Sequence, residues 1–240
     1  MCGRYVLKRK DLEALMTQLG VKDPRDFVSR YNISPGTAVP AIRRVAANRD
    51  RELTAFDWGL VPRWSKDAKS GARMANARAE GIATKPAFRD ALRQRRCIVP
   101  ASGFYEWQTI GKLKQPWFFQ RCDEAPLALA GIWERWRSAD GVDLETCSLI
   151  TTTPNDVVRP LHDRMPVILS GAAIDTWLDP DVAEPASLEP LLVPRPDGEM
   201  KRTSVSPRVN SVRHEGPECI APAEPITEEP PPPQLSFDLG

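Results

Sequence analysis

The chain has 240 residues, 41% apolar and 27% charged, with 33 Lys and Arg against 32 Asp and Glu. That composition fits a soluble globular protein of one or two domains, and no apolar run is long enough to form a membrane-spanning helix. The start, MCGRYVLKRK, lacks the apolar core of a secretory signal, so a cytoplasmic location is expected, and five scattered cysteines without a C-x-x-C pair, with only two histidines, predict neither a disulfide framework nor a metal site.

Apolar residues at Leu12, Leu15, Met16 and Leu19 fall on one helical face. They predict a helix over Asp11–Leu19, with Asp11 as its cap and Gly20 as its stop. Strand-type segments are Arg4–Leu7, Val39–Val45, Leu53–Trp58, Cys97–Val99 and Gly103–Gln108, then Trp117–Gln120, Leu127–Glu134, Thr146–Thr152 and Pro166–Leu169. Ile110-Gly111-Lys112 reads as a hairpin turn between two of them. Two further short helices are predicted, at Pro86–Leu92 and at Ala172–Leu178 behind the cap candidate Ser170. Strands do not alternate with long helices, so a doubly wound parallel sheet is not expected. The fold class predicted is α+β: a single domain over residues 1–220, with a mostly antiparallel, barrel-like β-sheet and flanking short helices.

Residues 221–240 differ in composition. They hold six prolines, four acids and no Lys or Arg, the signature of a disordered or polyproline-like tail. The remaining 220 residues carry 33 basic and 28 acidic groups, a charge of +5. Such a body permits a polyanionic partner without requiring one.

Cys2 is the most informative residue, because only an initiator methionine precedes it. Removal of Met1 would leave a free α-amine beside the thiol, with a reference pKa of about 7.7–8.0 against about 10.4 for lysine. A 1,2-aminothiol can condense with an aldehyde to an imine and then close a five-membered thiazolidine through sulfur. Intramolecular closure of this kind reaches effective molarities of about 10⁵ M or more.

Seven motifs occur in order: MCGRY at the start, RYNISPGT at Arg30–Thr37, WGLVPRW at Trp58–Trp64, NARAE at Asn76–Glu80, GFYEW at Gly103–Trp107, LHDRMP at Leu161–Pro166 and VSPRVN at Val205–Asn210. Together they resemble the SOS-response-associated peptidase family of abasic-site processing proteins. The resemblance implies covalent capture of the abasic-site aldehyde in single-stranded DNA through the amine and thiol of Cys2. It implies catalytic roles for Cys2, Asn76, Glu106 and His162, with the Asn76 amide directed at the Cys2 amine. It implies DNA contacts at Arg4, Trp64, Arg78, Lys85, Thr151 and Arg164. No cofactor is implied. A monomer is expected, in the cytoplasm and on the nucleoid when engaged.

Other readings of the residues stay open. Cys2 could be the thiolate of an N-terminal-nucleophile cysteine peptidase, with His162 as base and Glu106 or Asn76 orienting it. The chain could also be a non-catalytic single-strand DNA-binding module. Outside the motifs, Gln234, Leu235, Phe237 and Leu239 at the end of the tail resemble a bacterial sliding-clamp-binding peptide. Its alternate side chains would form one apolar edge.

Overall fold

The computed structural model describes residues 2–22, 27–44 and 50–226. In chain order the elements are β1 (Tyr5–Leu7), α1 (Arg9–Gln18), β2 (Arg30–Ile33), β3 (Ala38–Arg44), β4 (Arg51–Trp58), β5 (Asn76–Arg78), α2 (Arg89–Gln94), β6 (Arg96–Ala101) and β7 (Gly103–Ile110). There follow β8 (Leu113–Arg121), β9 (Leu127–Arg137), β10 (Asp143–Thr152), β11 (Met165–Pro166), β12 (Ile168–Leu169), α3 (Ala172–Leu178), α4 (Pro185–Leu188) and β13 (Met200–Ser204).

The pairings close a ring. β10 lies beside β4, followed by β3, β6 and β9, and β9 returns to β10. Four of these five pairings are antiparallel, and β4–β10 is parallel. Closure removes the free edges that an open sheet would expose. Past the ring, β10 splays open. Its far end pairs with β5 on one side and with β11 on the other. The barrel-like α+β reading of the sequence is therefore what the chain forms.

A second sheet runs β13-β8-β7-β1-β2. One face, with Tyr5, Leu7, Phe104 and Phe119, joins the main core; the other, with Val6, Tyr105 and Phe118, packs on Val205, Val209 and Cys219. Alternation along β1 and β7 assigns these faces, as the pleat requires. The chain crosses from barrel to second sheet at Ser102-Gly103. A Cβ at Gly103 would sit 2.4 Å from the Phe119 carbonyl oxygen and from the Phe118 ring, so only glycine fits that crossing.

The helices differ from expectation in their starts. α1 begins at Arg9, and its cap position, Lys8, makes no side-chain cap bond. Asp11 does not cap; it is buried in the first turn, 3.7 Å from the Lys8 ammonium. The stop was legible: Gly20 adopts φ +67°, Gly20 N–H donates to Thr17 O, and Val21 N–H donates to Met16 O. This is a Schellman ending. α2 starts three residues later than expected, because Gly81–Phe88 is spent in turns. α3 matches its predicted span, but Gly171 is its cap, and the Ser170 hydroxyl accepts from Arg195 Nη1 instead. Buried Arg96 ties α2 and α3 to the barrel by donating to the carbonyls of Leu92, Arg93, Trp177 and Asp179. A cation at helix C-termini meets their partial negative charge.

Among the described residues no helix is long and apolar enough to cross a membrane. Pairing continues beyond residue 220. Val205 bridges Pro222, Ala223 N–H donates to Ser204 O, and Ile226 N–H donates to Gln115 Oε1. Val45, and the clamp-like residues Gln234, Leu235, Phe237 and Leu239, lie outside the described residues.

Candidate active site around Cys2

Cys2 precedes β1 and is fully buried, with its thiol 4.0 Å from the Arg4 carbonyl oxygen. Strand register explains what surrounds it. β1 pairs with β7 so that Tyr5 opposes Phe104, and Tyr105 N–H donates to Arg4 O. Continued backwards, that register carries residues 2 and 3 past Glu106.

Glu106 shares the inner face of β7 with Phe104 and is 4% exposed. Alternation alone could not say which face of β7 was inside; the stacking of Phe104 on Phe119, at 5.1 Å, places it. Burial pushes the Glu106 carboxyl up to about 8 against the downward pull of the chain's N-terminal ammonium, with a smaller upward push from the Asp163 charge. Such a group is mostly protonated at neutral pH and can both give and take a proton there. Burial first, and then the Glu106 charge, raise the Cys2 thiol well above its ordinary range. The enclosed sulfur is therefore held as S–H.

Asn76 opens β5, whose parallel pairing sets Asn76 opposite Leu149 and Arg78 opposite Thr151 on β10. Its Nδ2 donates to the Cys2 carbonyl oxygen at 2.9 Å. The amide was expected to meet the Cys2 amine, and it takes the carbonyl. Asn76 Oδ1 is buried with no hydrogen-bond partner among the described residues. An acceptor left open beside Cys2 is suited to a donor that arrives there, since burying it unpaired costs about 1–3 kcal/mol.

His162 lies in the turn between β10 and β11. Its Nδ1 accepts from the Arg164 backbone N–H at 2.9 Å and lies 3.0 Å from Asp163 Oδ1. The bond from Arg164 uses the Nδ1 lone pair and favours a proton on Nε2, whereas the Asp163 carboxylate at the same nitrogen favours one on Nδ1. Burial lowers the His162 pKa, and Asp163 partly opposes this.

The expected DNA contacts fall into three groups. Trp64 (66% exposed), Arg78 and Lys85 are on the surface. Arg4 and Arg164 are committed within the chain. Arg4 Nη1 donates to Asn32 Oδ1 and Val209 O, both at 2.7 Å, and its guanidinium lies 5.3 Å over the Trp107 ring. Arg164 Nη1 donates to both oxygens of Glu80 at 2.6 and 2.7 Å. Thr151 is a correction. It is fully buried, with its hydroxyl turned to Ala77 O at 3.5 Å. Pairing with both β5 and β11 holds that part of β10 inside the protein.

Residues not singled out in the sequence complete the site. Asn32 accepts from Arg4 and donates to the carbonyls of Ser211 and His214, both at 2.9 Å, which clamps the 205–220 loop under β1. Gly3, Arg4, Trp107, Lys114 and Asn210 line a 420 Å³ concavity on one side of the N-terminal segment. A second, of 570 Å³, is lined by Thr153, Pro154, Arg159–Asp163 and so includes His162. Asn32, Glu80 and Asn210 all sit within the quoted motifs, which was the available signal. Among the described residues no group of three His, Cys, Asp or Glu is placed to hold a metal ion.

Comparison with known proteins agrees with the motif order. The chain is 38% identical over 224 residues to abasic site processing protein YoaM of Bacillus subtilis, covering 92% of this chain and 97% of that one. It is 34% identical to abasic site processing protein HMCES of Gallus gallus, covering 81% of this chain and 66% of that one. A solved structure of a protein from Bacteroides thetaiotaomicron superposes with a TM-score of 0.81 at 26% identity, over 93% of this chain and all of that one. The profile of the SOS response associated peptidase (SRAP) family matches residues 1–212, and the chain belongs to that family.

Proposed function

We propose that this chain, once Met1 is removed, captures abasic sites in single-stranded DNA as a covalent thiazolidine on Cys2. The observation that carries the reading is the pairing of Cys2 with Asn76 and Glu106. Asn76 fixes the Cys2 backbone at 2.9 Å, and a carboxyl with a pKa of about 8 stands beside it. The names of the relatives, as abasic site processing proteins, support the same substrate.

The ring-closed abasic sugar must first open. Glu106, protonated, gives its proton to the ring oxygen as the C1′–O4′ bond breaks and takes up the C1′ hydroxyl proton, so the aldehyde appears at C1′ and the carboxyl is protonated again. The Cys2 amine adds to that carbon, and the adduct loses water to form the imine. Glu106 protonates the carbinolamine hydroxyl as water leaves and takes the proton that the nitrogen loses. The Cys2 sulfur then adds to the imine carbon, and the thiol proton passes to nitrogen. No thiolate is needed before the imine forms, which suits a thiol held as S–H by burial. Asn76 Oδ1 accepts from the amine and keeps its lone pair toward the sugar, a role supported by its having no other partner among the described residues. His162, held neutral by burial, can hydrogen-bond the sugar oxygens or take up a proton there.

The concavity beside Gly3 and Arg4 and the one that includes His162 are the surfaces on which the strand would lie. Removal of Met1 by the same thiol is the peptidase step this reading includes. The test is a denaturing gel of the protein with an oligonucleotide carrying one abasic site. A retarded band is expected for wild type and none for Cys2→Ala. An equally stable band with Cys2→Ala overturns the mechanism.

A further inference from the structure

A basic concavity lies outside the site around Cys2. The turn Pro62–Ser65 closes with Ser65 N–H donating to Pro62 O, and the Ser65 carbonyl accepts from Trp136 Nε1 at 2.7 Å. That bond pins the turn to β9. Trp136 points inward, so its neighbours Arg135 and Arg137 point outward on the same face. Their side chains are 61% and 71% exposed, and that of Arg63 is 69% exposed.

Arg63, Arg135, Arg137 and Asp143 line a 440 Å³ concavity. Among the described residues Asp143 is the one carboxylate lining it, 2.8 Å from Arg135 and 3.7 Å from Arg137. Arg63 is 3.9 Å from Glu134, which Arg95 already holds at 2.9 Å. Three guanidiniums thus line the concavity with one carboxylate, an excess of two positive charges in its lining. Guanidinium forks suit the paired oxygens of phosphates. The next residue in the chain, Trp64, presents an exposed indole.

The concavity is also joined to the Cys2 site through one loop. Leu60 N–H donates to Met74 O, and Trp58 Nε1 donates to Ala75 O. The loop therefore leaves and returns at one point of the barrel. Arg63 and Trp64 stand near its start, and Asn76 immediately follows its end.

We infer that the Arg63–Arg135–Arg137 concavity binds backbone phosphates of the single strand flanking the abasic site. The inference rests on the reading of Cys2 given above. It adds a phosphate track on the outer face of β9.

The test uses single strands carrying a tetrahydrofuran abasic analogue, titrated against the protein across a salt series. Each phosphate neutralised on a single strand contributes about 0.7 to the slope of log affinity on log salt. Arg135→Ala/Arg137→Ala should therefore lower the slope by about 1.4 and weaken binding about tenfold near physiological salt. Asp143→Asn should act oppositely, steepening the slope and tightening binding, which a merely misfolded variant would not do. Slopes equal to wild type in both variants overturn the inference. A parallel denaturing gel of wild type with a true abasic strand separates the two ideas. A band there with unchanged slopes refutes the phosphate track alone, and no band refutes the capture reading on which it rests.

Discussion

Replacing Glu106 with glutamine should stabilise the fold while slowing the chemistry, and the two effects have different sizes. The carboxyl is raised from 4.5 to about 8, mainly by burial. Between those values the native protein holds the Glu106 proton and the unfolded chain does not. Stability therefore falls as pH rises through this window, by about 1.4 kcal/mol per unit. At pH 7 the accumulated cost is about 3 kcal/mol. Glutamine does not ionise, so Glu106→Gln escapes that cost. Urea unfolding of both proteins at pH 5, 6, 7 and 8 measures it. The stability of wild type minus that of Glu106→Gln should drop steadily across the series. In the same variant, single-turnover cross-linking should slow by about 10²–10⁴-fold, the usual contribution of a general acid–base group. A difference in stability that stays flat with pH would refute the claim that burial keeps this carboxyl protonated. Unchanged cross-linking within twofold would refute its role as proton donor.

His162 should resist protonation, because burial lowers its pKa. Its ring nitrogens, followed by NMR from pH 5 to 8, should report a midpoint below 6.5, and stability contributed by the neutral ring should be lost as pH falls through that region. Asn76→Ala removes the only side-chain donor recorded to the Cys2 carbonyl among the described residues; about 1–3 kcal/mol of stability should go with it, together with most of the cross-linking rate. Arg78→Ala should lower the single-strand salt slope by about 0.7, and Arg164→Ala by less, because Glu80 already neutralises Arg164. Thr151→Val should leave DNA affinity unchanged, since its hydroxyl faces Ala77 O inside the sheet.

The sequence disclosed periodic and punctuated features more readily than features set by tertiary contact. The α1 stripe, the Gly20 stop, the Gly111 hairpin and the nine strand segments carry local signals, and the structure has elements at each of these. β2, β5 and β13 were not read as strands. Each is short and polar, as in NAR and MKRTS, and exists because a neighbouring strand offers it an edge. Closure of the ring through β9 and β10 had no local signal either, since a pairing partner is not written in a segment's own pattern. At the site, position and motif picked out Cys2, Asn76, Glu106 and His162. They could not show that the Asn76 amide takes the Cys2 carbonyl, that Thr151 faces inward, or that Glu80 occupies Arg164. Those facts depend on the β5–β10 register and on which residues face each other across it.

Intact-mass and peptide-level mass spectrometry of the adduct tests the central claim most directly. The account predicts one species, equal to the chain lacking Met1 plus the abasic oligonucleotide minus one water, with the modification on residue 2. Its link should involve both the nitrogen and the sulfur of Cys2, so alkylation of that thiol should be blocked in the adduct. A modification on a lysine, or an adduct in which Cys2 remains alkylatable, would contradict it.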